Sequence, residues 1–228
     1  TIKVLVEPVG KGMGESVLSD LVAARAARTP VAYRVCTTSW NRDLQPPGGG
    51  LEDRFRADRS GFEEDGQTFI GIHNPPLRMA IVGAVHIAQH LATLARMSGY
   101  DPILIDPRDA FGAEHRFPGE TISNDYPDEA LAAWGIDTRS AIVTLSHDPK
   151  IDDPAIEMAL RSDCFYLGCL GSKRTHAKRV TRLEAAGFGA EEIARIHSPV
   201  GLDIGSAGPA EIAVSVMAEV TRVLRQGA

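Results

Sequence analysis

The run from Leu77 to Asp106 constrains the fold of this chain more than any other part of it. Leu77 to Val82 is a continuous apolar strand, Gly83 marks a tight turn, and Val85 to Met97 has helical periodicity with Ile87, Leu91 and Leu94 on one face. Gly99 closes that helix, and Pro102 to Ile105 reads as a second strand ending in Asp106. The alternation continues downstream. Pro127 to Trp134 reads as a short helix, Ser140 to Leu145 as a strand, and Phe165 to Cys169 as a strand closed by Gly171. Ser172 to Ala186 and Pro209 to Leu224 read as helices, and Asp153-Pro154 as a helix start, with Asp at the cap and Pro at the first position. Apolar strands that do not alternate strictly, each followed by a helix, imply a parallel sheet covered on both faces.

The texture before Asn74-Pro75-Pro76 differs. Residues 1–9 read as a strand ended by Pro8, Glu15 to Arg28 as a helix, Val31 to Thr37 and Gln67 to Ile72 as strands. Residues 41–66, with Pro46-Pro47-Gly48-Gly49-Gly50 and a charge-dense stretch, read as loop. The chain opens without Met, directly in a strand-like run, and is expected to be a piece of a longer protein. The expected fold class is α/β: a Rossmann-like parallel-sheet domain over residues 75–228, preceded by a smaller, partly missing α+β domain over residues 1–74.

Charge and cysteine content exclude some functions. The 24 Lys and Arg against 30 Asp and Glu give a net charge of −6, which argues against non-specific nucleic-acid binding. No apolar run approaches the ~20 residues of a membrane span. Cys36, Cys164 and Cys169 form no regular disulfide framework, which suits a reducing, cytoplasmic setting. Cys164 and Cys169 fall on opposite faces of a strand, and no His, Cys or acidic spacing points to a metal.

Four loops carry candidate chemistry. The first strand–helix turn occupies the place of a G-x-G-x-x-G dinucleotide fingerprint. Gly83 supplies the first glycine and Ala88 substitutes for the third, but Val85 stands at the second, where backbone would approach a pyrophosphate. Val85 is therefore expected to obstruct NAD(P), and Val85→Gly to restore some binding. Asp106 lies 23 residues beyond Gly83, where an acid would grip a ribose hydroxyl, and His86 opens the helix facing the same crevice. The alternative is a scaffold of this kind that binds no dinucleotide.

Ser146-His147-Asp148-Pro149-Lys150 follows the strand after that. His147 and Asp148 could bind a polar ligand or transfer a proton, with Lys150 attracting an anion; the alternative is a capped turn. Gly171, Ser172, Lys173 and Arg174 open a helix, and glycines, a hydroxyl and cations there suit a phosphate. From Lys173 to Arg182 five basic residues occur with no acidic one; Arg179 and Arg182 also fit a solvated helix face. Gly201 and Gly205 around Asp203 suggest backbone close to a ligand or a turn, and Glu211 reads as a favourable first-turn acid.

Gly83-Ala84-x-His86, Asp106-Pro107-Arg108, Ser146-His147-Asp148-Pro149-Lys150, Gly168-x-Leu170-Gly171-Ser172-Lys173-Arg174-Thr175 and Pro199-Val200-Gly201-Leu202-Asp203-Ile204-Gly205 occur in this order. Together they resemble the xanthine dehydrogenase accessory protein family of the XdhC/CoxI type, from about Pro75 to the C-terminus. The resemblance implies a molybdenum-cofactor chaperone: a protein that binds molybdopterin-type cofactor as cargo, promotes its sulfuration and delivers it to a molybdenum hydroxylase such as xanthine or carbon monoxide dehydrogenase. It implies cofactor binding in the crevice that holds Gly83, His86, Asp106, Arg108, His147, Asp148, Lys150, Gly171, Ser172, Lys173, Arg174 and Asp203. A cysteine desulfurase and a second copy of the chain are further candidate partners. Two departures stand out: the family's turn is Gly-Ala-Gly-His, and its cysteine-containing N-terminal segment lies before Thr1. The rival reading is an NAD(P)-dependent oxidoreductase with Asp106 on the ribose and His86 or His147 as proton donor. Val85 and the lack of a Tyr-x-x-x-Lys pair stand against it. A third reading, a structural interaction module, leaves the polar loops unexplained.

Overall fold

The strand Leu77–Val82 (β5) lies near the middle of a six-stranded, wholly parallel sheet. On one side of β5 stand β6 (Tyr100–Ile105) and β7 (Thr121–Ser123). On the other stand β8 (Ser140–Thr144), β9 (Tyr166–Cys169) and β10 (Ile196–His197). The chain thus builds outward from β5, returns to its other edge, and builds outward again. This is the doubly wound Rossmann-like order, and it opens a crevice where β5 and β8 part. Val82 pairs level with Ile105 and with Thr144, and Thr144 with Cys169, so four loops leave the sheet at one height.

The computed structural model describes residues 3–108, 111 and 114–227. Contacts divide the chain into two compact units, Thr1–Pro75 and Pro76–Ala228. In the second unit, Met79, Ile81, Ala141 and Val143 face α3 (His86–Met97) and α8 (Pro209–Gln226). Ala80, Val82 and Ile142 face the opposite way, onto α4 (Pro127–Trp134), α5 (Pro149–Leu160) and α6 (Lys173–Ala185). Both faces are buried, which is why these strands read as continuous apolar runs; each fully buried aliphatic side chain contributes roughly 1.5–3 kcal/mol. A short α7 (Ala190–Ile193) precedes β10.

Helix α5 corrects one boundary. It starts at Pro149, with Asp148 as its cap, and Pro154 lies inside it. Asp148-Pro149 and Asp153-Pro154 carry the same start signal. The earlier pair prevails because it buries Ile151, Asp152 and Ala155 as well as Ile156 and Ala159. That burial outweighs the hydrogen bond Pro154 cannot donate.

The first unit is an antiparallel sheet of order β2-β1-β4-β3, with β1 Val31–Cys36, β2 Arg42–Gln45, β3 Gly61–Phe62 and β4 Thr68–His73, plus α1 (Glu15–Ala26) and α2 (Glu52–Ala57). The 41–66 stretch is therefore structured, contrary to the loop expected of it. Its strands are short and polar, and pairing with β1 selects them: Arg34 lies opposite Asp43 and forks onto both its oxygens at 2.8 Å. The expected strand at residues 1–9 does not form over the described residues. Val4 and Val6 are exposed, and Val9 makes only an isolated bridge to Met13. Glu7 ties this segment down by accepting from Tyr33 Oη (2.6 Å) and Arg42 Nε (2.7 Å).

Candidate functional site

The first strand–helix turn is engaged from within. Gly83 has φ +99°, and a Cβ there would lie 2.7 Å from the Ser146 amide nitrogen. The glycine is required because the β5 and β8 loops press together. The Ala84 N–H donates to Asp106 Oδ2 (2.8 Å) and the Val85 N–H to Gly83 O (2.9 Å). Asp106 is wholly buried and accepts three more bonds from Arg108: from its backbone N (3.0 Å), Nε (2.8 Å) and NH2 (2.7 Å). Burial pushes this carboxyl up, but Arg108 and the two backbone N–H groups outweigh that and hold it below its ordinary value. The Arg108 guanidinium lies 4.0 Å from the Phe111 ring centroid. Asp106 thus holds the turn and Arg108 in place, with its acceptor sites filled by protein.

His86 is exposed at the start of α3 and, with Val85, Phe111 and Arg116, lines a cavity of about 330 Å³. His147 lines a different one.

That second cavity, about 210 Å³, lies between the β8–α5 segment and α6. His147, Pro149 and Asp152 line one side; Arg174, Thr175, Lys178, Arg179 and Arg182 line the other. His147 has φ +64°, a left-handed conformation that glycine favours and that a histidine adopts at some strain. Asp152 is 2% exposed and accepts from Ser146 Oγ (2.7 Å) and, at 3.3 Å, from the Ser146 N–H. Burial pushes its carboxyl up, against the pull of Ser146, Arg179 and His147. Asp148 caps α5 by accepting from the Lys150 N–H (3.0 Å), so the capped-turn reading describes its geometry. Lys150 is exposed outside the cavity lining.

On the α6 side, Ser172 caps the helix by accepting from the Thr175 N–H (3.2 Å), and Gly171 turns at φ +137°. Gly171, Ser172 and Lys173 build the turn without lining the cavity; Arg174 lines it. Arg179 is 2% exposed, donating from NH1 to Ser198 Oγ (3.2 Å) and from NH2 to Leu170 O (3.1 Å). Its buried Nε has no partner among the described residues. Arg182 pairs with Asp153, NH2 to Oδ1 at 2.9 Å. The alternative of a solvated helix face fails for Arg179, which is buried; Arg182 lines the cavity while its side chain stays partly exposed.

These loops belong to a recognisable family pattern. The sequence profile of the XdhC Rossmann domain matches residues 79–220. The chain belongs to that family. A molybdenum cofactor insertion chaperone of Escherichia coli K12, PaoD, is 35% identical over 149 residues, covering 65% of this chain and 41% of PaoD. A protein of Bacillus subtilis 168 described as a probable xanthine dehydrogenase component is 32% identical over 166 residues, covering 72% of this chain and 48% of the relative. An uncharacterized protein of Escherichia coli K12, YqeB, is 29% identical over 223 residues, covering 96% of this chain and 38% of YqeB. The chain therefore spans less than half the length of these relatives. A crystal structure described as a xanthine dehydrogenase from Bacillus halodurans shares the fold, with TM-score 0.67 and 24% identity over 93% of this chain and 65% of that one.

Within this XdhC-family domain, the Pro199–Gly205 loop has a structural anchor that sequence reasoning missed. Glu219 on α8 accepts from Tyr166 Oη (2.6 Å) and the Gly201 N–H (2.9 Å), with His197 Nδ1 and Arg222 NH2 each 3.6 Å away. Burial opposes its charge, but His197, Tyr166 and Gly201 prevail and hold it down to about 2. A Cβ on Gly201 would collide with Ser215 Oγ, so that glycine serves packing against α8. Asp203 is exposed and does not line the α6 cavity. Glu211 accepts from the Ala207 and Gly208 N–H groups at the start of α8. Cys169 is fully buried, and burial pushes its thiol up to about 11, which keeps it protonated. The sequence signal that could have exposed the cavity is the recurrence of Arg174, Lys178 and Arg182 every fourth residue, one helix face.

Proposed function

We propose that this chain is an accessory factor for a molybdenum enzyme: it binds a molybdopterin-type cofactor as cargo, supports its sulfuration, and hands it to a molybdenum hydroxylase such as xanthine or carbon monoxide dehydrogenase. A cysteine desulfurase supplies the sulfur, and the exchange takes place in the cytoplasm. Family membership and the similarity to PaoD, a molybdenum cofactor insertion chaperone, support this reading. The observation that carries it is the cation-lined cavity at the C-terminal edge of the sheet, where open α/β folds bind their ligands. His147, held by its strained backbone, and Arg174 are the residues of the expected set that line it. Gly83, Asp106, Arg108, Asp148, Gly171 and Ser172 shape the surrounding turns, and Lys150, Lys173 and Asp203 stand outside the lining.

The test purifies the chain from a host that makes the cofactor, releases and quantifies bound pterin, and mixes the protein with cofactor-free client hydroxylase. Bound pterin and a rise in client activity are expected, both reduced together in His147→Ala/Arg174→Ala. A chain that carries no pterin and leaves the client inactive would refute the proposal.

A further inference from the structure

We infer that the domain has a phosphoryl-group site on α6, built by Arg174, Lys178 and Arg182 with Arg179 behind them, and that this site replaces the first strand–helix turn as the place where a phosphate ester is held. It rests on the crevice named in the proposed function, but not on the identity of the cargo.

Three observations carry it. Arg174, Lys178 and Arg182 follow one another at four-residue intervals, so their side chains stack along one face of α6. Like charges at this spacing repel, a cost that an anion bound along the row would offset. Second, the charge facing the cavity is only partly compensated. Arg174 and Lys178 make no hydrogen bond or ion pair among the described residues, and Asp153 answers Arg182 alone. Asp152, the one carboxylate in the lining among the described residues, is already hydrogen-bonded to Ser146. Third, Arg179 lines the same cavity almost wholly buried, with a donor nitrogen that no described protein atom accepts. A buried donor in that state calls for an acceptor. Set against Asp152 in the lining and Asp153 on Arg182, these four cations leave two positive charges, which match a group of charge −1 to −2, such as a phosphate monoester or one end of a diphosphate.

The usual location for such a group is closed. The Ala84 and Val85 N–H groups, which would cradle a diphosphate, donate to Asp106 and Gly83. The Asp106 carboxylate, which would hold a ribose, is occupied by Ala84 and Arg108.

The experiment titrates the whole chain with inorganic pyrophosphate and with glycerol 3-phosphate by calorimetry at low ionic strength. Both are expected to bind. Arg174→Ala/Lys178→Ala, a double variant whose loss of two unbonded side chains leaves the fold intact, should weaken binding at least tenfold. Arg161→Ala, an exposed cation on the far end of α5, and Val85→Gly should leave affinity unchanged. Three results would each overturn the assignment: no pyrophosphate binding by the unaltered chain, equal affinity in the double variant at an unchanged melting temperature, or affinity lost on Arg108→Ala instead. Pyrophosphate affinity that depends on Arg174 and Lys178 in a chain that never carries pterin would uphold the site and refute the chaperone reading. Pterin carriage with no such dependence does the reverse.

Discussion

At the residue scale, Gly83 meets two demands at once: a backbone at φ +99° and the Ser146 backbone packed against it. Gly83→Ala violates both, and should destabilise the chain by about 1–3 kcal/mol, read by urea unfolding. Val85 and Asp106 bear on a second prediction. NADH fluorescence titration should show no tight binding to the unaltered chain, and none to Val85→Gly either. Removing one side chain leaves the Ala84 N–H and the Asp106 carboxylate engaged. Tight NADH binding by either protein contradicts this. In this turn the fingerprint was legible and its meaning was not. Gly83 was readable as a tight turn from its place after an apolar strand, but Ser146 comes from a loop more than sixty residues away and leaves no local trace. Asp106 was legible as an acid at the end of the second strand. Its engagement by Ala84 and Arg108 depends on side-chain geometry that spacing does not encode. Arg179 was illegible for the opposite reason: a charged residue in a basic run reads as solvated, and only packing under Leu170 and Ser198 buries it.

At the element scale, what could be read were the strands and helices long enough to show a period. α3, α4, α6 and α8 fall within a few residues of their expected bounds, and so do β5, β6, β8 and β9. The missed elements, β2, β3, β7, β10, α2 and α7, have at most six residues each, too few for periodicity to outweigh polar composition. Pairing partners select the strands among them. The junction of β9, β10 and α8 yields a prediction of its own, because Glu219 joins all three. Its folded pKa lies at about 2 against an ordinary 4.5. A depressed acid contributes stability that is present above its unfolded pKa and lost as pH falls through the folded one. Glu219→Gln should therefore cost about 2–3 kcal/mol at pH 7. The gap between variant and unaltered protein should close as pH drops from about 4.5 toward about 2. Asp152 works in the other direction: its raised pKa favours the folded state in acid, and that contribution fades as pH rises. A gap that stays constant across this range would show that Glu219 acts through shape instead of charge.

At the scale of the whole molecule, the change of texture at the double proline coincides with the boundary between two compact units, Thr1–Pro75 and Pro76–Ala228. They differ in how much core they own. The second encloses apolar clusters on both faces of a six-stranded sheet, with Leu91, Leu104, Ile142 and Ile156 fully buried. The cluster of buried residues in the first comprises Ala32, Phe55 and Ile70, supported by Leu51 and Ile72. Small cores stabilise weakly, because the fraction of surface buried on folding falls with chain length. Residues 76–228 produced alone should therefore unfold in urea as one cooperative transition. Within that fragment Leu91→Ala should lose about 2–5 kcal/mol, the cost of emptying a well-packed position. Residues 1–75 alone should show a shallow, early transition, since the buried apolar side chains described there (Leu21, Ala32, Tyr33, Val35, Phe55 and Ile70) give little to offset the entropy of ordering the chain. Circular dichroism of the two fragments across a urea series decides this. A fragment 76–228 that fails to fold, or a fragment 1–75 that unfolds as sharply and as late, would show that stability is not partitioned by these cores.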